Sequence, residues 1–263
     1  MSLTTSVGSL ARVGKSLWLT IERPQAQNAL TPAVLDLLAE ACDEIERDRT
    51  LRALVITGTG RAFCVGMDIT FLADCFADPL GTFIPFVSRY HDLLLRLEKL
   101  PVLVIAAVNG FARAGGFELL LAADLVVIAD EAKIGDVHLG SGVPPAGGAT
   151  FRSRRALGEQ RARDLLYTAR WMKADECLSS GLAARIFPTG TFRSEVEAFV
   201  SQITNTSLSA LDATKRIIEQ TRGLNHDEAA KVELEIFTKF VSEDPQANEG
   251  HRSFVEKRAP QWN

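Results

Sequence analysis

Hydrophobic residues along this chain alternate between short continuous runs and longer stretches with a helical period. The continuous runs predict buried β-strands, and they cover residues 13–22, 51–57, 102–108, 125–129, 132–135 and 183–187. The periodic stretches predict amphipathic helices, and they cover residues 31–48, 83–99, 151–158, 159–168 and 173–180. Strands that alternate with helices predict an α/β fold with largely parallel strand pairing and right-handed crossovers.

One stretch, residues 102–124, combines a strand, a turn and an unusual helix. The chain restarts at Gly115-Gly116 as a helix that is apolar on nearly every side, so this helix is expected to be buried. Glycines at a helix start leave free amide groups open to a ligand, and those amides favour negative charge. Glu118 is the only ionisable residue of this helix. It either caps its own helix or serves as an acid/base beside a pocket that stabilises an anion.

The second half of the chain contains a special loop and a helical tail. Residues 136–149 are rich in glycine and proline, and a loop of this length and composition is usually functional. From residue 192 onward the sequence predicts only helices, with boundaries near Ser207, Asn225 and Pro245. Their apolar stripes must pack on the core or on a neighbouring subunit. We therefore expect a core domain over residues 1–190 and a helical region over residues 191–263.

Composition limits the classes of function. The chain has 263 residues, 46% hydrophobic and 24% charged, which is enough for one large core. Its net charge of -4 gives no reason to expect nucleic acid or a membrane as a partner. The cysteines form no paired motif, so we expect reduced thiols in a cytoplasmic protein, and the histidines lack metal-ligand spacing, so we expect no metal site. Nor do we expect a signal peptide or a membrane-spanning segment.

Five short motifs occur in the order and with the spacing of a known family. They are Arg23-Pro24-x-x-x-Asn28-Ala29-Leu30, Phe63-x-x-Gly66-x-Asp68, Gly115-Gly116-x-Glu118, Pro145-x-Gly147-Gly148 and Glu249-Gly250-x-x-x-Phe254-Val255-Glu256-Lys257-Arg258. Each motif alone is a weak signal. Together they span residues 16–258, and with them the chain resembles the crotonase family, the enoyl-CoA hydratases and isomerases.

The resemblance implies a fold and a class of substrate. The fold would be a crotonase-like spiral of strand–strand–helix (ββα) units, followed by a C-terminal helical region that forms trimers or pairs of trimers. The substrate would be an acyl group joined to coenzyme A through a thioester. Coenzyme A would be part of the substrate, and no metal or redox cofactor would be needed. The apolar stripes of the tail suit such an assembly.

The resemblance also implies roles for individual residues. The backbone amides of Val65 and Gly115 would hold the thioester oxygen as negative charge develops on it, which agrees with the position of Gly115 at a helix start. Glu118 falls on the first of two glutamates with which hydratases of this family add water. Contacts to the coenzyme A substrate fall on Ala26, Ala62, Val65, Gly66, Met67, Asp68, Phe254 and Lys257. A structural role at a glycine turn is the alternative for Asp68, and a solvated surface position is the alternative for Lys257.

One position departs from the family pattern, because His138 stands where the second glutamate would be. A histidine, with an ordinary pKa of about 6.5, suits either direction of proton transfer. His138 is otherwise an ordinary loop residue, and Asp136 either reaches the pocket itself or orients His138. Hydration of a 2-enoyl-CoA is the preferred reaction. The alternatives are double-bond isomerisation, hydrolysis of a C–C bond or thioester, and acyl-CoA binding without catalysis. Asn28 is expected to fix its loop by side-chain hydrogen bonds.

Overall fold

Two β-sheets form the body of the protein in this computed structural model, which describes residues 2–262. The strands are β1 (Ser2–Thr4), β2 (Gly8–Val13), β3 (Ser16–Ile21), β4 (Ala53–Gly58), β5 (Ala62–Cys64), β6 (Leu103–Val108), β7 (Phe111–Arg113), β8 (Leu125–Ala129), β9 (Lys133–Gly135), β10 (Met172–Lys173) and β11 (Arg185–Phe187). The larger sheet has the strand order β1-β2-β3-β4-β6-β8-β11, and the smaller sheet has the order β10-β9-β7-β5.

Helices cover the sheets and make up the C-terminal part of the described chain. They are α1 (Pro32–Arg47), α2 (Ile69–Ala77), α3 (Ile84–Lys99), α4 (Gly115–Leu121), α5 (Ala149–Leu157), α6 (Glu159–Thr168), α7 (Ala174–Ser179), α8 (Phe192–Thr204), α9 (Leu208–Gln220), α10 (His226–Glu243) and α11 (Glu249–Val255). Short 3-10 turns occupy residues 24–26, 139–141 and 189–191, and a π-helical turn over residues 79–83 leads into α3.

The chain alternates between the two sheets in a regular way. In the larger sheet β1, β2 and β3 form an antiparallel meander, and from β3 onward each neighbouring pair runs parallel. The pairs β4–β5, β6–β7 and β8–β9 each place the first strand in the larger sheet and the second in the smaller one before the chain enters a helix. These successive ββα units form a spiral, so the predicted α/β fold class is confirmed.

Burial of the central strands explains why they form. In β4 and β6 almost every side chain is buried, as expected for parallel strands that are covered on both faces. Helix α1 begins where the sequence predicts, because the Thr31 side chain accepts a hydrogen bond from the Val34 amide and Pro32 occupies the first turn. Its buried face packs on β2, β3 and α3.

The sequence predictions were wrong or incomplete for several short strands. The strand predicted over residues 13–22 corresponds to β3, which begins only at Ser16. The sequence did not predict β2, which forms a hairpin with β3 through a turn at Gly14, where φ is 59°. The sequence gives no signal for β1, β7 or β10, since each has three residues or fewer and no alternating pattern can develop over that length. The predicted helix bounds, by contrast, agree with α1, α3, α5, α6 and α7 to within two residues.

The helical tail is attached to the core through α8, whose Phe192, Val196 and Val200 belong to the core cluster, and through α9. The Nζ atom of Lys215 donates to Asp124 Oδ2 at 2.7 Å and to the carbonyl oxygen of Val102 at 3.0 Å. Beyond α9, the described residues leave several large apolar side chains exposed, namely Leu234, Phe237, Val241, Phe254 and Val255. Exposed apolar faces commonly mark an interface, and a separate oligomerisation region over residues 191–263 stays a prediction. No helix between residues 2 and 262 has the length and apolar character needed to cross a membrane.

The ion pair of Lys215 with Asp124 can be tested by mutation. Lys215 is buried, so its loss would leave the largely buried carboxylate of Asp124 without a compensating charge. We predict that Lys215→Ala lowers the free energy of unfolding by about 3 kcal/mol, measured by urea denaturation. The control Lys239→Ala removes an exposed lysine from α10 and should change this free energy by less than about 0.5 kcal/mol. Equal effects of the two variants would contradict the prediction.

Candidate active site

Two glycine turns from successive ββα units lie in direct contact. Gly66 follows β5 with φ of 87°, and a Cβ atom on it would lie 3.0 Å from the backbone nitrogen of Gly115, the first residue of α4. Gly116 has no room for a side chain, because a Cβ atom there would collide with the carbonyl oxygen of Cys64. The glycines therefore allow the backbone at the start of α4 to make direct contact with the backbone that follows β5.

Two backbone amides at this contact are without an acceptor. Within residues 2–262, neither the N–H group of Val65 nor that of Gly115 donates a hydrogen bond to another residue. Buried amides without a partner are rare in folded proteins, so two of them side by side mark a place where a ligand oxygen can bind. The hydroxyl of Tyr90 donates to the carbonyl oxygen of Gly115 at 2.5 Å and fixes the orientation of this turn.

Glu118 points away from its own helix start and toward the glycine- and proline-rich loop. Its side chain is buried, and Oε1 accepts hydrogen bonds from the amides of Gly147 at 2.6 Å and Ala149 at 3.3 Å. The interpretation that Glu118 caps its own helix is therefore wrong. Burial raises the pKa of Glu118 because it penalises the charged form, although the charge of His138 and the two amide hydrogen bonds lower it.

His138 is paired with a buried carboxylate. Its Nδ1 atom lies 2.8 Å from Oδ1 of Asp136, which is completely buried, and its backbone amide donates to Asp136 Oδ2 at 3.4 Å. Burial alone would lower the pKa of His138, but the hydrogen bond and charge of Asp136 outweigh it, and the charge of Glu118 adds to them. The pKa of His138 is therefore raised. The sequence left two roles open for Asp136, to reach the pocket itself or to orient His138. The hydrogen bond to Nδ1 is the arrangement expected for orienting His138.

The remaining polar atoms of the two side chains are available to a ligand. Glu118 Oε2 and His138 Nε2 make no hydrogen bond within the described residues. The side-chain atoms that are both fully buried and without a partner in that part of the chain are Arg52 Nε and Ser153 Oγ. Glu118 Oε2 and His138 Nε2 also have no partner but do not belong to this fully buried group, so both atoms are accessible to solvent. The loop that carries His138 lies against the start of α4, the helix of Glu118, because the amide of Ala114 donates to the carbonyl oxygens of Gly135 and Asp136.

Strained backbone surrounds this site. Ala114, the residue before α4, has φ of 48° and ψ of -119°, and its amide donates to the carbonyl oxygens of Gly135 at 3.2 Å and Asp136 at 3.0 Å. Val137, between the two paired side chains, has φ of 51°. Positive φ is unfavourable for residues with a Cβ atom, above all for β-branched ones, and such strain concentrates at functional sites.

The candidate substrate contacts before α2 form one surface beside the free amides. Ala26, Ala62 and Val65 belong to the same small apolar cluster. Met67 bridges to Leu30, since the Leu30 amide donates to the oxygen of Gly66 at 2.8 Å and the oxygen of Leu30 accepts from the amide of Asp68 at 2.9 Å. These pairings hold the predicted residues 62–68 next to the loop of residues 24–30. Their contact with substrate stays a prediction.

Asn28 and Asp68 have clear structural roles. Asn28 is completely buried; its Oδ1 accepts from the Arg23 amide at 2.9 Å and its Nδ2 donates to the carbonyl oxygen of Ala62 at 2.6 Å. Asp68 caps α2, accepting from the Thr70 amide at 3.0 Å, and pairs with Arg23 Nη2 at 2.7 Å. The sequence expectation that Asn28 fixes its loop is confirmed.

The structure does not bring Phe254 and Lys257 to this site. Phe254 lies on α11 with 83% of its surface exposed, and Lys257 follows α11. The hydrogen bonds recorded for α11 and the residues just after it stay within residues 246–261. A contact of these two residues with coenzyme A therefore stays a prediction.

Sequence reasoning missed three residues that support the site. Tyr90 and Glu98 lie on α3, and Arg152 lies on α5. In the sequence Tyr90 and Glu98 are ordinary members of an amphipathic helix, and Arg152 is one of several arginines in a row, so only the third dimension distinguishes them. Among residues 2–262, no group of three or more histidine, cysteine, aspartate or glutamate side chains is arranged to hold a metal ion.

Comparisons with known proteins agree on one family. A family model described as enoyl-CoA hydratase/isomerase matches residues 15–263. A probable enoyl-CoA hydratase of Mycobacterium tuberculosis is 35% identical over 93% of this chain and 93% of its own. A crotonyl-CoA hydratase of Syntrophomonas wolfei is 34% identical over 91% of each chain. The crystal structure of an enoyl-CoA hydratase from Bacillus anthracis is similar with a TM-score of 0.91 and 26% identity, covering 98% of this chain and 99% of that one.

The strain at Ala114 predicts an unusual effect of a glycine substitution. Glycine adopts the φ and ψ of Ala114 without steric cost, so we expect Ala114→Gly to raise the free energy of unfolding by about 1 kcal/mol, measured by urea denaturation. The matched control is Ala122→Gly at the other end of α4, where φ is -87°. The backbone of Ala122 is not strained, so glycine there should lower the free energy of unfolding by about 0.5–1 kcal/mol. Loss of stability in both variants would contradict the prediction.

Proposed function

The chain belongs to the enoyl-CoA hydratase/isomerase family, and we propose that it adds water across the C2–C3 double bond of a 2-enoyl-CoA. The resemblance predicted from the five motifs is thereby confirmed, and the chain is an enzyme of this family. One observation carries the choice of reaction. Glu118 Oε2 and His138 Nε2 are both without a hydrogen-bond partner within the described residues. The free amide of Gly115 lies one helical turn before Glu118, and the amide of Ala114, at the same helix start, binds the loop that leads to His138.

The proposed reaction needs two proton transfers and one stabilised anion. Glu118 Oε2 takes a proton from a water molecule while the water oxygen forms a bond to C3. The electrons of the double bond move onto the thioester oxygen, where the N–H groups of Val65 and Gly115 donate to the developing negative charge; one such donor is worth roughly 3 kcal/mol of the barrier. His138 Nε2–H then gives a proton to C2, and the thioester carbonyl forms again. Elimination of water follows the same steps in reverse.

The hydrogen bonds of each group support these assignments. Two amides donate to Glu118 Oε1, and a carboxylate accepts such bonds better than a carboxylic acid, so they favour the ionised base. The carboxylate of Asp136 lies against Nδ1 of His138 and favours the imidazolium, which carries the proton on Nε2. The opposite charges of Glu118 and His138 also support each other. The pair thus resembles an ionised base and a charged acid at rest.

The proposal extends to the substrate and its surroundings. The apolar surface of Ala26, Ala62 and Val65, with the neighbouring Gly66–Asp68 segment, would contact the coenzyme A portion, and Phe254 and Lys257 would contact it where the tail of a chain reaches a site in an oligomer. The exposed apolar residues of α10 and α11 support a trimer or a pair of trimers. Four buried free thiols support a cytoplasmic location. The steps above use no metal or redox cofactor.

A second reaction is favoured by the pairing of His138 with Asp136. A histidine whose Nδ1 is held by a buried carboxylate is also the arrangement that activates water against a thioester or a C–C bond. In that case neutral His138 would be the base. Hydrolysis and double-bond isomerisation are therefore separate outcomes of the experiment below.

The reaction can be identified with two substrates. We expect the conjugated thioester absorbance of crotonyl-CoA to fall when the protein is added, because hydration removes the double bond. Glu118→Gln should lower kcat by about 10²–10⁴-fold, since it removes a proton-transfer group without changing its size. The exposed Glu131→Gln is the matched control and should leave kcat unchanged.

Other results of the same assay would overturn the proposal. A rise in absorbance with a 3-enoyl-CoA, without activity on crotonyl-CoA, would mean isomerisation. Release of free thiol would mean hydrolysis. Tight binding of acyl-CoA with no turnover would mean a non-catalytic protein. Unchanged turnover in Glu118→Gln would remove Glu118 from the mechanism.

The pairing of Asp136 with His138 predicts a change in pH dependence. Activity requires ionised Glu118 and protonated His138, so the pH profile of kcat/KM should be bell-shaped, with the alkaline limb set mainly by His138. Asp136 raises the pKa of His138, so Asp136→Asn should lower it and move the alkaline limb to lower pH. Asp130→Asn, an exposed site, should leave the profile unchanged. An alkaline limb that stays in place or moves to higher pH in Asp136→Asn would exclude this role of Asp136.

A further inference from the structure

We infer that Glu98 and Arg152 form a clamp on Gly147 and, through Gly147, position the carboxylate of Glu118 for proton transfer. The inference rests on the proposed function, because it concerns the residue that acts as the base there. Neither clamp residue is offered as a group that touches substrate, and both act through the loop that carries Gly147.

The clamp is a continuous set of hydrogen bonds from α3 to Glu118. The guanidinium of Arg152 is bound by both oxygens of Glu98, with Nε to Oε1 at 2.8 Å and Nη2 to Oε2 at 3.1 Å. The third nitrogen, Nη1, donates to the carbonyl oxygen of Gly147 at 2.9 Å. The amide of the same glycine donates to Glu118 Oε1 at 2.6 Å. Gly147 is thus held by a cation on its carbonyl side and by a carboxylate on its amide side.

The packing around Gly147 and Gly148 leaves no space for a side chain at either residue. A Cβ atom on Gly147 would collide with Oε2 of Glu118. A Cβ atom on Gly148, where φ is 99°, would collide with Nη1 of Arg152. The loop backbone therefore lies in direct contact with both side chains, so we expect a shift of Arg152 to disturb the loop that binds Glu118 Oε1.

The guanidinium group is suited to this position in a way that an ammonium group is not. Arg152 is 2% exposed, and its planar head directs three nitrogens at two fixed partners. Lysine has a single nitrogen and cannot hold both oxygens of Glu98 and the carbonyl of Gly147 in the same geometry. The ring of Phe151, 4.8 Å from the guanidinium carbon, supports one face of the plane. The clamp is therefore rigid because of geometry as well as charge.

Helix α3 connects this clamp with the other half of the site. Glu98 holds Arg152, and Tyr90, two turns earlier on the same helix, donates to the carbonyl oxygen of Gly115. One helix thus positions the loop that binds Glu118 and the turn that presents the free amide of Gly115. Helix α3 contains none of the five predicted motifs, yet it provides hydrogen bonds that position both halves of the site.

Loosening the clamp should change the titration of Glu118 in a known direction. The amide hydrogen bonds of Gly147 and Ala149 stabilise the ionised form of Glu118 and lower its pKa. If Gly147 moves, that stabilisation is lost and the pKa of Glu118 rises. The other charged or titratable groups around Glu118 are His138 and Asp136 in the loop after β9, Tyr90 and Glu98 on α3, Arg152 on α5 and Cys64 on β5.

The test compares two clamp variants with a matched control. Glu98→Gln and Arg152→Lys keep the approximate size of each side chain and remove the paired geometry. Arg155→Lys makes the same change one turn along α5, at an exposed arginine that also lies over the Phe151 ring, 5.9 Å from its centre. Each variant is assayed with crotonyl-CoA for kcat, KM and the pH profile. The Glu118 carboxyl is also titrated by carbon NMR in the free protein, with Glu118→Gln used to assign its signal.

We expect both clamp variants to lower kcat by about 10- to 100-fold, with little change in KM, because the base is misplaced while the binding surface is intact. The pKa of Glu118 in the free protein and the acid limb of the profile should both move upward. Arg155→Lys should behave as the parent protein. Should Arg152→Lys fail to fold, Glu98→Gln still decides, since Glu98 is partly exposed and glutamine keeps one acceptor.

The outcomes separate failure of the clamp from failure of the proposed function. A Glu118 pKa that does not change in Glu98→Gln, while the parent protein hydrates crotonyl-CoA, overturns the clamp and leaves the function in place. A pKa that rises while the parent protein has no hydratase activity overturns the function and leaves the clamp in place. Equal effects of Glu98→Gln and Arg155→Lys on kcat also overturn the clamp.

Discussion

One buried carboxylate, that of Glu118, accepts hydrogen bonds from two backbone amides, and this interaction determines the arrangement of the whole site. Glu118 lies on a helix that is otherwise apolar, and a carboxylate is costly there unless hydrogen bonds compensate for lost water. The compensation comes from Gly147 and Ala149, which lie beyond two further strands in the sequence. The loop of residues 136–149 must therefore fold back over α4. In doing so it brings His138 and Asp136 to the same place.

The spiral supplies the frame in which this return is possible. Each ββα unit ends near the smaller sheet, so the turns after β5, β7 and β9 gather at one edge of the molecule. Val65 comes from the first of these turns, Gly115 from the second and His138 from the third. Three short segments that are far apart in the chain thus contribute one group each. The site therefore forms only when successive ββα units pack together, and no single sequence motif contains all of its groups.

Much of this was predictable from the sequence, and the failures have physical causes. The fold class, the long helices and the structural role of Asn28 followed from periodicity, capping residues and family motifs. The short strand β7 was missed because three residues carry no period. Tyr90, Glu98 and Arg152 were missed because their importance lies in the orientation of polar atoms toward backbone groups, and residue type alone does not encode orientation. The helix-cap interpretation of Glu118 failed for the same reason.

The glycine contact between successive units has a consequence for the energetics of the site. Because Gly66 and Gly116 place backbone directly against backbone, no flexible side chain lies between the unit that carries Val65 and the unit that carries Gly115. The spacing of the two amides is consequently governed by hard-sphere contact, which changes little with thermal motion. Donor dipoles that are fixed in this way require little reorganisation energy when an oxygen beside them becomes charged. In the proposed reaction, the stiffness of the scaffold would therefore lower the barrier.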